Sequence, residues 1–108
     1  MEDGPAKADL INRLAVEYRE KDPGKAIELC HWAIDLSQRL DYKKGLAEGY
    51  RTRGNCYLLL SEHERAMADE RLALDLFREI GDGQRVLRVI NIMGNIWRHS
   101  GDLKAARC

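Results

Sequence analysis

A chain of 108 residues can bury one continuous core, but it is too short for a catalytic domain joined to a regulatory one. Its 18 Lys and Arg balance its 18 Asp and Glu, so no global field draws it to nucleic acid or to an anionic membrane. Aromatic content of 6%, only 2 prolines and evenly spread charge exclude a strand-rich domain and favour long solvated helices.

Residues 1–4 read as a short tail. Met1-Glu2-Asp3-Gly4-Pro5 lacks the basic-then-apolar order of a signal peptide, and no apolar run reaches the roughly 18 residues of a membrane span, so a cytoplasmic location is expected. A first helix is predicted over 6–20 and a second over 23–40. Asp22-Pro23 announces the second, because Asp can cap free amides and Pro is tolerated where its missing N–H had no partner. Ala26, Ile27, Cys30, Ala33, Ile34 and Ser37 mark its inner face. A third helix is predicted over 44–60. A fourth, over 62–80, follows Ser61 and Glu64, which fit a capping box, and turns Ala66, Ala73, Phe77 and Ile80 inward. Gly81-Asp82-Gly83 and Ser100-Gly101-Asp102 are breakers, which places a fifth helix over 84–99 and the start of a sixth near 102.

The helices come in near-copies. Gly54-Asn55-Cys56-Tyr57 returns as Gly94-Asn95-Ile96-Trp97, a step of 94 − 54 = 40 residues. Ala26, Ala66 and Ala106 keep the same step, as do Ala33 with Ala73, Leu36 with Leu76, and Leu40 with Ile80. A period of this size means stacked supersecondary units, none able to bury its apolar face alone. Small residues at matched places, namely Ala15, Gly54 and Gly94 on the first helix of each unit and Ala26, Ala66 and Ala106 on the second, suit close helix approach. A Gly inside a helix costs about 1 kcal/mol relative to Ala, so packing is expected to recover the loss.

The fifth helix differs. Val86, Leu87, Val89, Ile90, Ile92, Met93, Ile96 and Trp97 cover more than one stripe and ask for burial on two sides. The missing cover is expected from a partner or a second copy, giving a homodimer through Val86, Val89, Ile90 and Met93.

Leu14, Ala15, Tyr18, Ala26 and Ala33 in one unit, Gly54, Tyr57, Ala66 and Ala73 in the next, and Met93, Gly94, Trp97 and Ala106 in the third resemble the tetratricopeptide repeat. The resemblance covers nearly the whole chain. It implies an all-α fold, a right-handed superhelical stack of antiparallel helix pairs of about two and a half repeats, at 5–41, 42–82 and a truncated 83–108. Arg53 departs from the pattern, standing where a large apolar residue is usual. The first unit has a shorter turn (33 − 15 = 18 against 73 − 54 = 19), and the period of 40 exceeds the family's common 34. That longer period resembles spindle-polarity adaptors, kinesin light chains and bacterial regulators whose repeats precede a sensor kinase or nucleotide cyclase.

The resemblance also implies a concave groove lined by the first helix of each unit. Its places are Asp9, Asn12, Val16, Arg19 and Glu20, then Glu48, Arg51, Asn55, Leu58 and Leu59, then Arg88, Asn91, Asn95, Arg98 and His99. The last two groups hold three Arg against one Glu, so the groove is locally basic and suits an acidic or C-terminal peptide segment. Amide side chains pair with an extended backbone whatever its sequence. Asn12, Arg51, Asn55, Arg88, Asn91, Asn95 and Arg98 are therefore the candidate peptide contacts. The plainer reading is that these asparagines only solvate the face or bond to a neighbouring turn. Arg51 and Asn55 also resemble half of the carboxylate clamp of chaperone-binding relatives, whose next asparagine would fall at Ile92, which cannot serve.

Other polar groups carry less. His31, His63 and His99 lie far apart without metal-ligand spacing, so no metal or other cofactor is expected. Cys30, Cys56 and Cys108 read as reduced thiols. Trp32, Trp97, Tyr50 and Tyr57 sit at helix-packing positions and read as core. No nucleophile with base and orienting partner, and no phosphate-binding glycine loop, can be picked out, so the chain is not expected to be an enzyme. The expected function is a protein-interaction module. The alternative is an oligomerisation or sensory domain of a larger signalling protein.

Overall fold

In the computed structural model the backbone is described for residues 4–107 and side chains for residues 4–98. Five helices follow one another: α1 (Pro5–Tyr18), α2 (Pro23–Arg39), α3 (Lys43–Leu59), α4 (His63–Ile80) and α5 (Gly83–Arg107). Among the described residues there is no strand. The helix starts have local causes. Pro5 and Pro23 occupy first-turn positions, and Asp22 Oδ1 accepts the Lys25 amide at 3.2 Å. Asp82, expected only as part of a breaker, does the same for Arg85 at 3.2 Å.

Three helix ends share one device. Asp41, Ser61 and Gly81 adopt left-handed φ values of 52°, 62° and 83°, at intervals of 61 − 41 = 20 and 81 − 61 = 20 residues. In each turn the next amide reaches back to a carbonyl of the last helical turn: Tyr42 to Ser37 at 2.8 Å, Glu62 to Tyr57 at 2.8 Å and Asp82 to Phe77 at 3.0 Å. The α1–α2 connection is of another kind. The Asp22 amide reaches Tyr18 at 2.7 Å with no residue at positive φ between them, and the connection, residues 19–22, is one residue longer than that of the second unit, 60–62, where a shorter turn was expected.

Two expectations fail here. The capping box does not form: Glu62 is the N-cap of α4 with no side-chain bond, because Ser61 is used to close α3. The break at Ser100-Gly101-Asp102 is also absent, since α5 runs unbroken to Arg107. Gly costs only about 1 kcal/mol within a helix, and without a Pro nothing in this triplet removes a backbone bond. Ala106, His99 and Cys108, for which packing, groove or thiol roles were expected, have side chains outside the described residues.

Each helix packs on the next, and α1 also touches α3. Ala8 and Ile11 of α1 meet Ala33 and Leu36 of α2. Ala15 meets Cys30 and Ile34 with Leu46 and Tyr50 of α3 alongside. Ala47 of α3, Ala73, Leu74 and Phe77 of α4 and Val89 of α5 form the third cluster. The chain extends 54 × 30 × 19 Å with a radius of gyration of 14.2 Å. A near-spherical domain of this length would have about 13 Å, so the helices form an elongated slab with small clusters in series.

The small residues behave unevenly. Ala15, Ala26, Ala66 and Ala73 are fully buried. Gly54 is also buried, and a Cβ there would come within 2.6 Å of Glu70 Oε2, so helix α4 lies close over it. Gly94 has nothing within 4 Å of the same built position. The two glycines match in sequence but not in surroundings, because among the described residues no helix covers α5 where α4 covers α3. Ile80 is exposed instead of buried, since it is the last residue before the Gly81 turn.

Candidate functional site

Polar contacts tie α1 to α3 and α3 to α5, between residues 33 to 37 apart in the sequence. The Asn12 amide donates to the Gly45 carbonyl at 3.0 Å and the Tyr42 hydroxyl donates to Asp9 at 2.8 Å, joining α1 to the start of α3. Burial, with help from Asp9, pushes the Tyr42 phenol up to about 12, so it stays a donor. Arg51 donates to Glu48 Oε2 at 3.0 Å, and Arg85 of α5 donates to Glu48 Oε1 at 2.5 Å and to Asp82 at 2.7 Å. Those contacts to Arg85 hold the Asp82 carboxyl below its ordinary range. Glu48 is thus shared by two guanidinium groups and joins α3 to α5.

Two shallow depressions flank this network. One, of about 170 Å³, is lined by Asp9, Asn12, Arg13, Val16, Lys44 and Glu48. The other, of about 250 Å³, is lined by Arg19, Glu20, Asn55, Leu58, Leu59 and Ile92. The larger of the two reaches from just beyond α1 across α3 to α5 and sets Leu58, Leu59 and Ile92 beside Arg19, Glu20 and Asn55.

The structure divides the candidate peptide contacts. Asn12 is buried and its amide donates to the Gly45 carbonyl, while its Oδ1 is buried without a partner. Arg51 is half-buried and paired with Glu48, and its Nε is buried without a partner. Asn55 lines the larger depression. Arg88, Asn91, Asn95 and Arg98 are exposed, and among the described residues Arg88 and Arg98 form no ion pair. The expected basic excess is thereby narrowed. Near α3 it is cancelled by Glu48, and it survives on α5.

The expected self-association surface needs correction. Val89 is fully buried in the third core cluster, and Val86 and Met93 pack against that cluster. Ile90, about 40° round the helix from Val86, lies at the edge of this buried stripe and is 42% exposed. The core reading of the tryptophans fails as well. Trp97 is exposed, and Trp32 lies on the surface with the Lys7 ammonium 5.4 Å from its ring.

Two polar features were not read from sequence. Arg53 makes a two-pronged pair with Asp69 at 2.7 and 2.8 Å and approaches His31 Nδ1 at 2.9 Å, linking α3 to α4 and α2. Burial and the Arg53 charge lower the His31 pKa, which favours the neutral acceptor form. The signal was Arg53 itself, since a charge at an apolar register asks for a counter-ion. The second feature is Glu70, fully buried with both carboxyl oxygens unbonded; burial pushes its pKa up to about 8, opposed in part by Arg51.

Burial likewise pushes the Cys30 and Cys56 thiols up to about 12 and about 11, which leaves them unreactive. Among the described residues no group of three or more His, Cys, Asp or Glu is placed to hold a metal ion, and no helix is long and apolar enough to cross a membrane. Comparison with known protein families, with curated proteins and with solved structures finds no match.

Proposed function

We propose that this chain is a tetratricopeptide-type repeat module of the cytoplasm, without catalytic activity of its own, that binds a partner protein. Its helix pairs form a right-handed superhelical stack, and an extended acidic segment of the partner lies across α1, α3 and α5. The observation that carries this reading is the larger depression, where Asn55 stands beside Leu58, Leu59 and Ile92. Asn95 repeats Asn55 one unit on, and the exposed Arg88 and Arg98 lie on the same helix as Asn95. Amide pairs hold the ligand backbone, apolar side chains fill the floor, and the arginines select acidic side chains. Self-association through Val86, Val89, Ile90 and Met93 is less supported, because three of the four face inward.

The test is capture of partners by the whole chain and by the Asn55→Ala/Asn95→Ala variant. The variant is expected to keep its helicity and lose the captured ligand, and added salt is expected to loosen the wild-type complex. Equal capture by both proteins would remove the reading.

A further inference from the structure

The outward face of α5 carries an unmet packing requirement of a specific shape. Leu87, Ile90 and Trp97 are 64%, 42% and 72% exposed, and with Gly94 they follow at i, i+3, i+7 and i+10, one stripe of the helix. Nothing lies within 4 Å of the Cβ position at Gly94, so the middle of the stripe is open to close approach by a backbone. Among the described residues no element packs on this stripe.

The chain contains its own template for what fits there. Subtracting 40 from each position gives Ala47, Tyr50, Gly54 and Tyr57 on α3, and α4 covers all four. Ala47 and Tyr50 pack with Ala73 and Phe77, Gly54 lies under Glu70, and the Arg65 guanidinium sits 5.8 Å from the Tyr57 ring. The covering segment, residues 62–81, has six acidic and three basic residues, a net charge of 3 − 6 = −3. The helix left uncovered is its electrostatic complement: residues 83–98 hold Arg85, Arg88 and Arg98 and no Asp or Glu. Arg85 is engaged by Asp82 and Glu48, whereas Arg98 stands exposed one residue beyond Trp97 at the border of the stripe.

We propose that the Leu87–Ile90–Gly94–Trp97 face docks an amphipathic helix of another protein, with small residues on its apolar side and acidic residues along the flank that meets Arg98. The docked helix lies on α5 as α4 lies on α3 and extends the slab by one layer. A second copy of this chain is the poorer occupant, because pairing two α5 faces sets Arg98 of each against a stretch, residues 83–98, that holds no Asp or Glu. The site shares Arg98 with the proposed peptide surface, but its apolar stripe of Leu87, Ile90, Gly94 and Trp97 lies outside that surface.

The experiment uses the full chain with Trp32→Phe, which leaves Trp97 as the single tryptophan reporter, and a peptide of residues 62–81 as the probe. Docking is expected to give a saturable blue shift of Trp97 emission that weakens with salt. Ile90→Asp, at an exposed position that preserves helicity by circular dichroism, is expected to weaken binding about tenfold or more, because it places a charge in an apolar contact. Arg98→Glu is expected to weaken it less and to remove most of the salt dependence. Asn55→Ala/Asn95→Ala is expected to leave this binding unchanged, which separates this face from the proposed peptide surface. The absence of a saturable shift, or equal binding by Ile90→Asp, would overturn the proposal. So would a concentration-dependent dimer in light scattering that Ile90→Asp dissolves, since a second copy would then be the occupant.

Discussion

The Glu70 carboxylate lies directly over Gly54, with Oε2 2.6 Å and Cδ 3.0 Å from where a Cβ would stand, and neither of its oxygens has a hydrogen-bond partner. One unit earlier the same position is Cys30, which packs against Ala15 as an ordinary core residue. An acid has therefore been placed where the repeat elsewhere uses a small apolar group, at a cost to stability that depends on pH.

The sign of that dependence is fixed. The folded chain holds the Glu70 proton up to about pH 8, whereas the unfolded chain releases it near the ordinary 4.5. Folded protein binds more protons between those values, so stability falls as pH rises through that window. Glu70→Met is expected to melt higher than wild type at pH 8.5, by on the order of 2 kcal/mol, with a smaller gain at pH 5.5. Urea unfolding at both values measures this. An equal difference at the two pH values would mean that the carboxylate is not the cause.

Arg53 and Asp69 are a mostly buried pair, and breaking one partner leaves the other charge uncompensated. Arg53→Met is expected to cost about 3 kcal/mol, and Arg53→Met with Asp69→Leu to recover most of it. A double-mutant cycle in urea reads the coupling directly; additive losses would show that the two side chains act separately.

Gly45 and Gly94 should respond oppositely to alanine. A Cβ at Gly45 meets the Ser37 hydroxyl and comes within 2.7 Å of the Tyr42 ring, so Gly45→Ala is expected to lose about 1–2 kcal/mol. Gly94 has open space and sits inside α5, so Gly94→Ala is expected to gain up to about 1 kcal/mol. Thermal denaturation of the two variants side by side is sufficient.

Ser61 holds the same left-handed turn that Gly81 holds, without glycine's freedom. Ser61→Gly is expected to raise stability by about 0.5 kcal/mol, and Gly81→Ala to lower it by about 1–2 kcal/mol. A loss in Ser61→Gly would mean that the serine side chain contributes to the turn.

The helices were legible because their apolar spacing, prolines and turn residues all agree, and the 40-residue echo gave their order. What was not legible depends on which helix lies above which. Periodicity marks Val86, Val89, Ile90 and Met93 alike as apolar. Only the placement of α4 separates the three that are covered from the one that is not. Asn12 and Asn55 likewise look equivalent as groove amides and both border a depression, yet Asn12 is buried with its amide donated to the Gly45 carbonyl while Asn55 is only half-buried. A charge inside a core register, as at Arg53 and Glu70, is invisible to a hydrophobic pattern until its neighbours are known.

The even spacing of the turns at Asp41, Ser61 and Gly81 has a bearing on how such a chain can change in length. In the proposed stack, where contacts run between successive helices, an in-frame duplication or loss of a forty-residue stretch would return every remaining helix to a familiar neighbour. A shift of a few residues would instead rotate each later helix about its axis and turn its greasy side to water. Length in the proposed stack is therefore freest to vary in whole paired steps.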